Sequence, residues 1–243
     1  MASRQAQSLG LMAICFAISF FLWDWLYPVN VFVVVLHEWS HGLANVLTGG
    51  KILEIYIDPR AGGWCQGTSS WELTVTAAGY IGSSVLGAAI LLAAALTRWD
   101  RMLCGGLGLF LVGVGLRYVG NPFGKIFCVG FGVFMVWAAY KLSERWSDFL
   151  LRFLGMSSCL YAVFRVRQHL LAHWYQWPTG STGDATLDQI WAHSDADVLA
   201  HLTGVPATAW WVTFLVVGVS SFLAALWISV RYDAGWGSPE QPE

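Results

Sequence analysis

Val31-Phe32-Val33-Val34-Val35-Leu36-His37-Glu38-Trp39-Ser40-His41-Gly42-Leu43-Ala44-Asn45-Val46-Leu47 is an apolar run broken by two histidines and a glutamate. Read as a helix, it places His37 and His41 on one face, one turn apart. Two His and a Glu are costly to bury in such a span, and they persist only if paired, coordinated or facing water. The same stretch therefore argues for a membrane helix and for a polar centre inside it.

The rest of the chain agrees with a membrane setting. Of its 243 residues, 56% are hydrophobic and only 12% are charged, and the mean hydropathy is +0.56. A soluble domain of this size needs more charge to cover its surface. Thirteen basic and fifteen acidic side chains give a net charge of -2 with no basic tract, which argues against nucleic acid as a partner. Cys15, Cys65, Cys104, Cys128 and Cys159 show neither Cys-x-x-Cys nor a disulfide-framework spacing.

About seven apolar segments approach the length that crosses a hydrocarbon core of about 30 Å. They run roughly from Leu9 to Tyr27, Val29 to Leu47, Thr74 to Leu96, Leu103 to Leu116, Phe123 to Tyr140, Phe149 to Val166 and Ala207 to Val230. The first follows Arg4 but ends in Trp23-Asp24-Trp25-Leu26-Tyr27-Pro28 without a small-residue cleavage site, so it reads as a retained span, not a signal peptide. Pro28 suits the first turn of the second helix, and Gly49-Gly50 suits its end. Lys51 to Asp58 is β-branched and alternating, Asp58-Pro59-Arg60-Ala61-Gly62-Gly63 is turn chemistry, and Trp64 to Thr68 fits a return strand. Gly79, Ser83 and Gly87 recur at four-residue spacing, which admits a close helix neighbour. The expected fold is an all-α integral membrane protein, multi-pass in the bilayer, with a short β-hairpin after the motif helix. One polytopic domain covers residues 1–232, with a polar loop at about 173–206 and a polar tail at 233–243. Seven basic residues fall on one side of this arrangement and six on the other, so the positive-inside rule sets no orientation.

The spacing of the polar residues points to zinc. His37 and His41 can present ring nitrogens to one Zn2+ ion, and Glu38, beside the first ligand, is placed to act as general base on a water in an open coordination position.

Leu36-His37-Glu38-Trp39-Ser40-His41-Gly42-Leu43, then Thr48-Gly49-Gly50-Lys51-Ile52, then Ile57-Asp58-Pro59, resembles the site-2 proteases, and more narrowly their peptidase B-like branch. Ala78-Gly79-Tyr80-Ile81-Gly82-Ser83 is similar to the glycine-rich next helix of that branch. The resemblance is strong over about the first hundred residues and patchy beyond. It implies an intramembrane zinc metalloprotease that cleaves membrane-protein substrates within or near the lipid bilayer. It also implies that the strand after Gly50 takes substrate by edge pairing.

Two histidines leave the zinc one protein ligand short. The resemblance implies an Asp from a later apolar helix, within Asp-Gly, but the chain contains no Asp-Gly. Asp195, in His193-Ser194-Asp195-Ala196, is similar to a recurrent Ser-Asp-Ala segment of the branch and is the leading candidate. The same residues also suit helix capping by Ser194 or Asp195, and the two roles are compatible. His169, His193, Asp197 and Asp184 are alternatives. His169 follows Leu160-Tyr161-Ala162, after which this chain carries Arg165 and Arg167 where the branch carries acids. Asn45 suits either orientation of a ligand or a bond between helices; Asp24 reads as interfacial, and His173 and His201 as solvent-facing. Two rival functions share these residues: an inactive member of the same scaffold that binds membrane helices, and a metal or proton transporter.

Overall fold

The computed structural model describes residues 2–176 and 194–232. The expected tail 233–243, and the part of the polar loop with Asp184, Asp188 and His193, lie outside the described residues, as do the side chains of His169 and His173.

Helix α1 (Ala2–Leu22) passes through a 3-10 turn, Trp23–Trp25, into α2 (Tyr27–Leu47). Pro28 sits in the first turn of α2, where its missing N–H removes no helix bond. Two strands follow, β1 (Ile52–Asp58) and β2 (Gly62–Gly67), paired antiparallel. Gly49 has φ +87°, the left-handed conformation that ends α2 and turns the chain toward β1. The remaining helices are α3 (Glu72–Leu96), α4 (Asp100–Arg117), α5 (Pro122–Lys141), α6 (Glu144–Cys159), α7 (Tyr161–Gln176), the short α8 (Asp195–Thr203) and α9 (Ala207–Tyr232).

The all-helical membrane fold with its hairpin is therefore present. Three helices, α3, α5 and α9, are long and apolar enough to cross a membrane singly. Two further candidates are bent pairs: residues 12–47 turn by 95° between α1 and α2, and residues 144–168 turn by 60° between α6 and α7. By length and composition alone, the described residues thus hold three to five spans, against the seven apolar segments read from the sequence. The difference lies in the bends and in the eighteen-residue α4, which is interrupted by glycine and packs along α5. Large apolar side chains such as Ile126, Val133, Val212 and Leu223 stand exposed on the outer helices, as lipid-facing groups do.

Helix α3 is the centre of the packing, against α2, α6 and α9. The small residues noted in its sequence explain how. A Cβ on Gly87 would lie 2.5 Å from the Gly155 carbonyl oxygen of α6, and one on Gly155 would lie 2.7 Å from that of Gly87. Backbone meets backbone there, an approach only small residues permit. The other faces of α3 meet α2, where a Cβ on Gly82 would fall 2.6 Å from Cβ of Ser40.

The hairpin is clamped on one side. Ile55 N donates to Tyr118 O at 2.9 Å, and Gly120 N donates to Ile55 O at 3.0 Å. Asn121 continues this pairing with its side chain, accepting from Ile57 N at 3.1 Å and donating to Ile57 O at 2.8 Å. Both edges of β1 are thus occupied, one by β2 and one by the α4–α5 connection. The strand directly after Gly50 is consequently not an open edge, which corrects the expectation that it takes an incoming peptide. Among the described residues, only the outer edge of β2 lacks a strand partner.

Candidate metal centre

Helix α2 delivers His37, Glu38 and His41 into the interior, all less than a tenth exposed. The ring nitrogen Nε2 of His37 lies 3.2 Å from Nε2 of His41. Helix α8 brings a third donor to the same point: Asp195 Oδ2 is 3.2 Å from His37 Nε2 and 3.4 Å from His41 Nε2. In a tetrahedral zinc site with bonds of about 2.0–2.1 Å, donor atoms stand about 3.3–3.4 Å apart. The three donors form a triangle of that size, so these residues could hold a metal ion.

The proton positions support the same fit. Nδ1 of His41 lies 2.7 Å from Val75 O. A carbonyl only accepts, so Nδ1 carries the proton, and with the ring neutral Nε2 is left to present a lone pair to the triangle. Asp195 Oδ2 is buried and takes no hydrogen bond although it faces two ring nitrogens. A carboxylate oxygen and two imidazole nitrogens converging in an apolar interior fit a cation between them.

Helix capping does not compete with this role. Ser194 is the N-cap of α8: its hydroxyl accepts from Asp197 N at 3.4 Å and donates to Asp197 Oδ2 at 2.5 Å. Asp195, one position later, is left to point at the histidines. Asp197 is committed to the cap and is not part of the triangle. His201 lies exposed in the last turn of α8, away from the cluster. His193 and Asp184 lie outside the described residues.

Glu38 lines a cavity of about 270 Å³ with His37, His41 and Asp195. The floor near Glu38 is β2. A Cβ on Gly63 would stand 2.9 Å from Glu38 Oε1, so the bare backbone of β2 is pressed against the carboxylate. Asn45 ties the far end of the motif to the hairpin: its Nδ2 donates to His41 O at 3.1 Å, and its Oδ1 accepts from Ser69 N at 3.1 Å. Gly67 leaves the room its side chain needs.

The sequence reading missed the residues around the His pair. His37 meets Tyr80 edge-on at 4.6 Å and Tyr161 at 5.3 Å. The two tyrosines stack on each other at 5.4 Å, and Arg165 lines the same cavity. Tyr161 is buried and directly follows the 60° bend at Leu160. One signal was available: Tyr161 and Arg165 are four residues apart and share a helix face. Asp24, read as interfacial, accepts from Arg167 at 3.2 Å and from Gln168 at 2.9 Å and so anchors α7 to the end of α1.

A family profile described as Peptidase M50B-like matches residues 11–225, most of the chain and every residue of this cluster. The chain belongs to the Peptidase M50B-like family. It is thereby a site-2-protease-family member, a membrane-embedded protein related to metalloproteases. No curated protein and no solved structure matches it.

Proposed function

We propose that this Peptidase M50B-like protein is an intramembrane zinc endopeptidase acting on membrane-protein segments. The observation that carries the reading is the triangle of donors from His37, His41 and Asp195, with Glu38 on the wall of the same cavity. Zinc held by these three residues would supply Lewis-acid chemistry at the cavity. Val75 O fixes the His41 ring in the tautomer a ligand needs. Glu38 takes a proton from the attacking water and returns it to the leaving amine, so one carboxylate serves both halves of the hydrolysis.

The substrate presents an extended stretch, because a closed helix hides its peptide bonds. The outer edge of β2 is the open edge that reaches the site, since Gly62, Gly63, Trp64 and Cys65 line the cavity. A peptide added there by main-chain pairing lies beside Glu38. The cavity, lined in part by the exposed Gly63 and Trp64, admits the water that hydrolysis consumes.

Metal analysis of the purified full-length protein and its Glu38→Ala form tests this reading. Zinc in both, with peptide cleavage in the unaltered protein alone, is the expected result. Zinc in both with cleavage in neither would make the protein a silent member of the scaffold. Absence of bound zinc from both would overturn the metalloprotease reading altogether.

A further inference from the structure

The side chains of β2 alternate between two faces. Gly63, Cys65 and Gly67 face α2. A Cβ on Gly63 would stand 2.9 Å from Glu38 Oε1, the Cys65 sulfur lies 3.5 Å from where a Cβ on Gly42 would be, and a Cβ on Gly67 would meet the Asn45 side chain. Trp64 therefore stands on the opposite face, where its partner across the hairpin is Tyr56. The two rings stack at 5.5 Å with only 3° between their planes. Tyr56 meets the indole from the β1 side, yet Trp64 remains 46% exposed. The neighbour it lacks among the described residues is the one that a strand on the open edge of β2 would supply. The exposed Trp25, Trp99 and Trp146 stand at helix ends, as interfacial anchors do. Trp64 differs from them because it lines the cavity with Glu38 and the three donors.

A peptide paired with that edge carries the same alternation. Its residue opposite Gly63 turns toward Glu38, and the next residue stands opposite Trp64 on the outer face. An aromatic ring there extends the Tyr56–Trp64 stack by a third member. Such a pair gains from ring geometry beyond the area it buries, whereas an aliphatic side chain offers the area alone. Resting on the peptidase reading above, we infer that Trp64 is a specificity-determining residue that selects substrates with an aromatic side chain close to the scissile bond, in the position next to the one that faces Glu38.

The test uses the full-length, zinc-loaded protein in detergent and one polar decapeptide framework with blocked ends. Versions carry Phe, Leu or Ala at one central position, and a fourth carries Phe one residue further on. Binding is measured to the Glu38→Gln form, and cleavage with Glu38 intact. The expected result is at least about fivefold tighter binding of the Phe peptide than of the Ala peptide, a ratio equivalent to about 1 kcal/mol, with Leu between them. The cut falls at a fixed distance from Phe and moves by one residue when Phe does, because the paired peptide slides to keep its ring on Trp64. Trp64→Ala abolishes the preference and Trp64→Phe keeps most of it, both with zinc content unchanged. Equal binding of the Phe and Leu peptides overturns the inference, as does a Phe preference that survives Trp64→Ala. A uniform loss on all peptides in Trp64→Ala also overturns it and assigns the indole to holding the hairpin. A Trp64-dependent preference for Phe without any cleavage by the unaltered protein sinks the peptidase reading and leaves the aromatic site standing.

Discussion

Gly79 of α3 lies directly against the His37 ring: a Cβ on it would stand 2.5 Å from His37 Cε1 and closer still to His41 Nε2. The absent side chain is the space in which the two rings converge. Gly79→Ala should therefore push the histidines apart while raising the helix propensity of α3 by about 1 kcal/mol. The expected outcome is an intact helical protein with at least about tenfold weaker zinc binding, read by competition with a chromophoric chelator. Unchanged affinity would mean that the rings have room to move that the packing denies them.

Asp195 and Ser194 are neighbours with different duties, and substitution should separate them. Ser194→Ala removes a helix cap and should cost about 1 kcal/mol of stability, with a modest loss of zinc affinity. Asp195→Ala removes a donor of the triangle and should lower zinc affinity by more than about tenfold, with little effect on the start of α8. Equilibrium dialysis with zinc, beside circular dichroism melts, gives both readouts. Equal effects of the two substitutions on zinc would show that Asp195 acts only through the helix.

Asn121 closes the outer edge of β1 with two hydrogen bonds to Ile57. Asn121→Ala strands the Ile57 N–H and C=O and should cost about 1–3 kcal/mol. The loss should appear as a lower thermal midpoint and as faster cleavage of the hairpin by an added soluble protease. Because Gly63 presses on Glu38, turnover should fall as well if the hairpin slackens.

If the triangle holds zinc as proposed, removing it should destabilise the protein as a whole. An ion that binds only the folded state at a hundred times its Kd contributes about 2.7 kcal/mol. Dialysis against a strong chelator should accordingly lower the thermal midpoint, and zinc should restore it. The Asp195→Ala form should show a much smaller response to either treatment. A chelator effect equal in both forms would locate the stabilising ion elsewhere.

Much of this was legible before any tertiary structure. A carboxylate and two imidazoles within an apolar run announce themselves, because the helical period alone puts residues 37 and 41 on one face and the cost of burial demands a purpose. The hairpin was readable from β-branched alternation and a Pro-Gly turn, and the close packing of α3 from small residues at four-residue spacing. Spans were less so. Hydropathy does not register a bend such as the 95° and 60° turns at Leu26 and Leu160.

The sequence by itself determined the membrane class, the motif helix with His37, Glu38 and His41, and a short set of candidates for the third donor. Only the tertiary structure brings one of those described, Asp195, to the histidines, with the cap of α8 formed by Ser194 and Asp197. It also closed the edge of β1 with Tyr118–Asn121, moved the open edge to β2, and set Tyr80, Tyr161 and Arg165 around His37. The physical reason is distance along the chain. Local periodicity reports which residues share a face of one helix, whereas a site built from α2, α3, α7 and α8 depends on how those faces meet, and no local pattern encodes that.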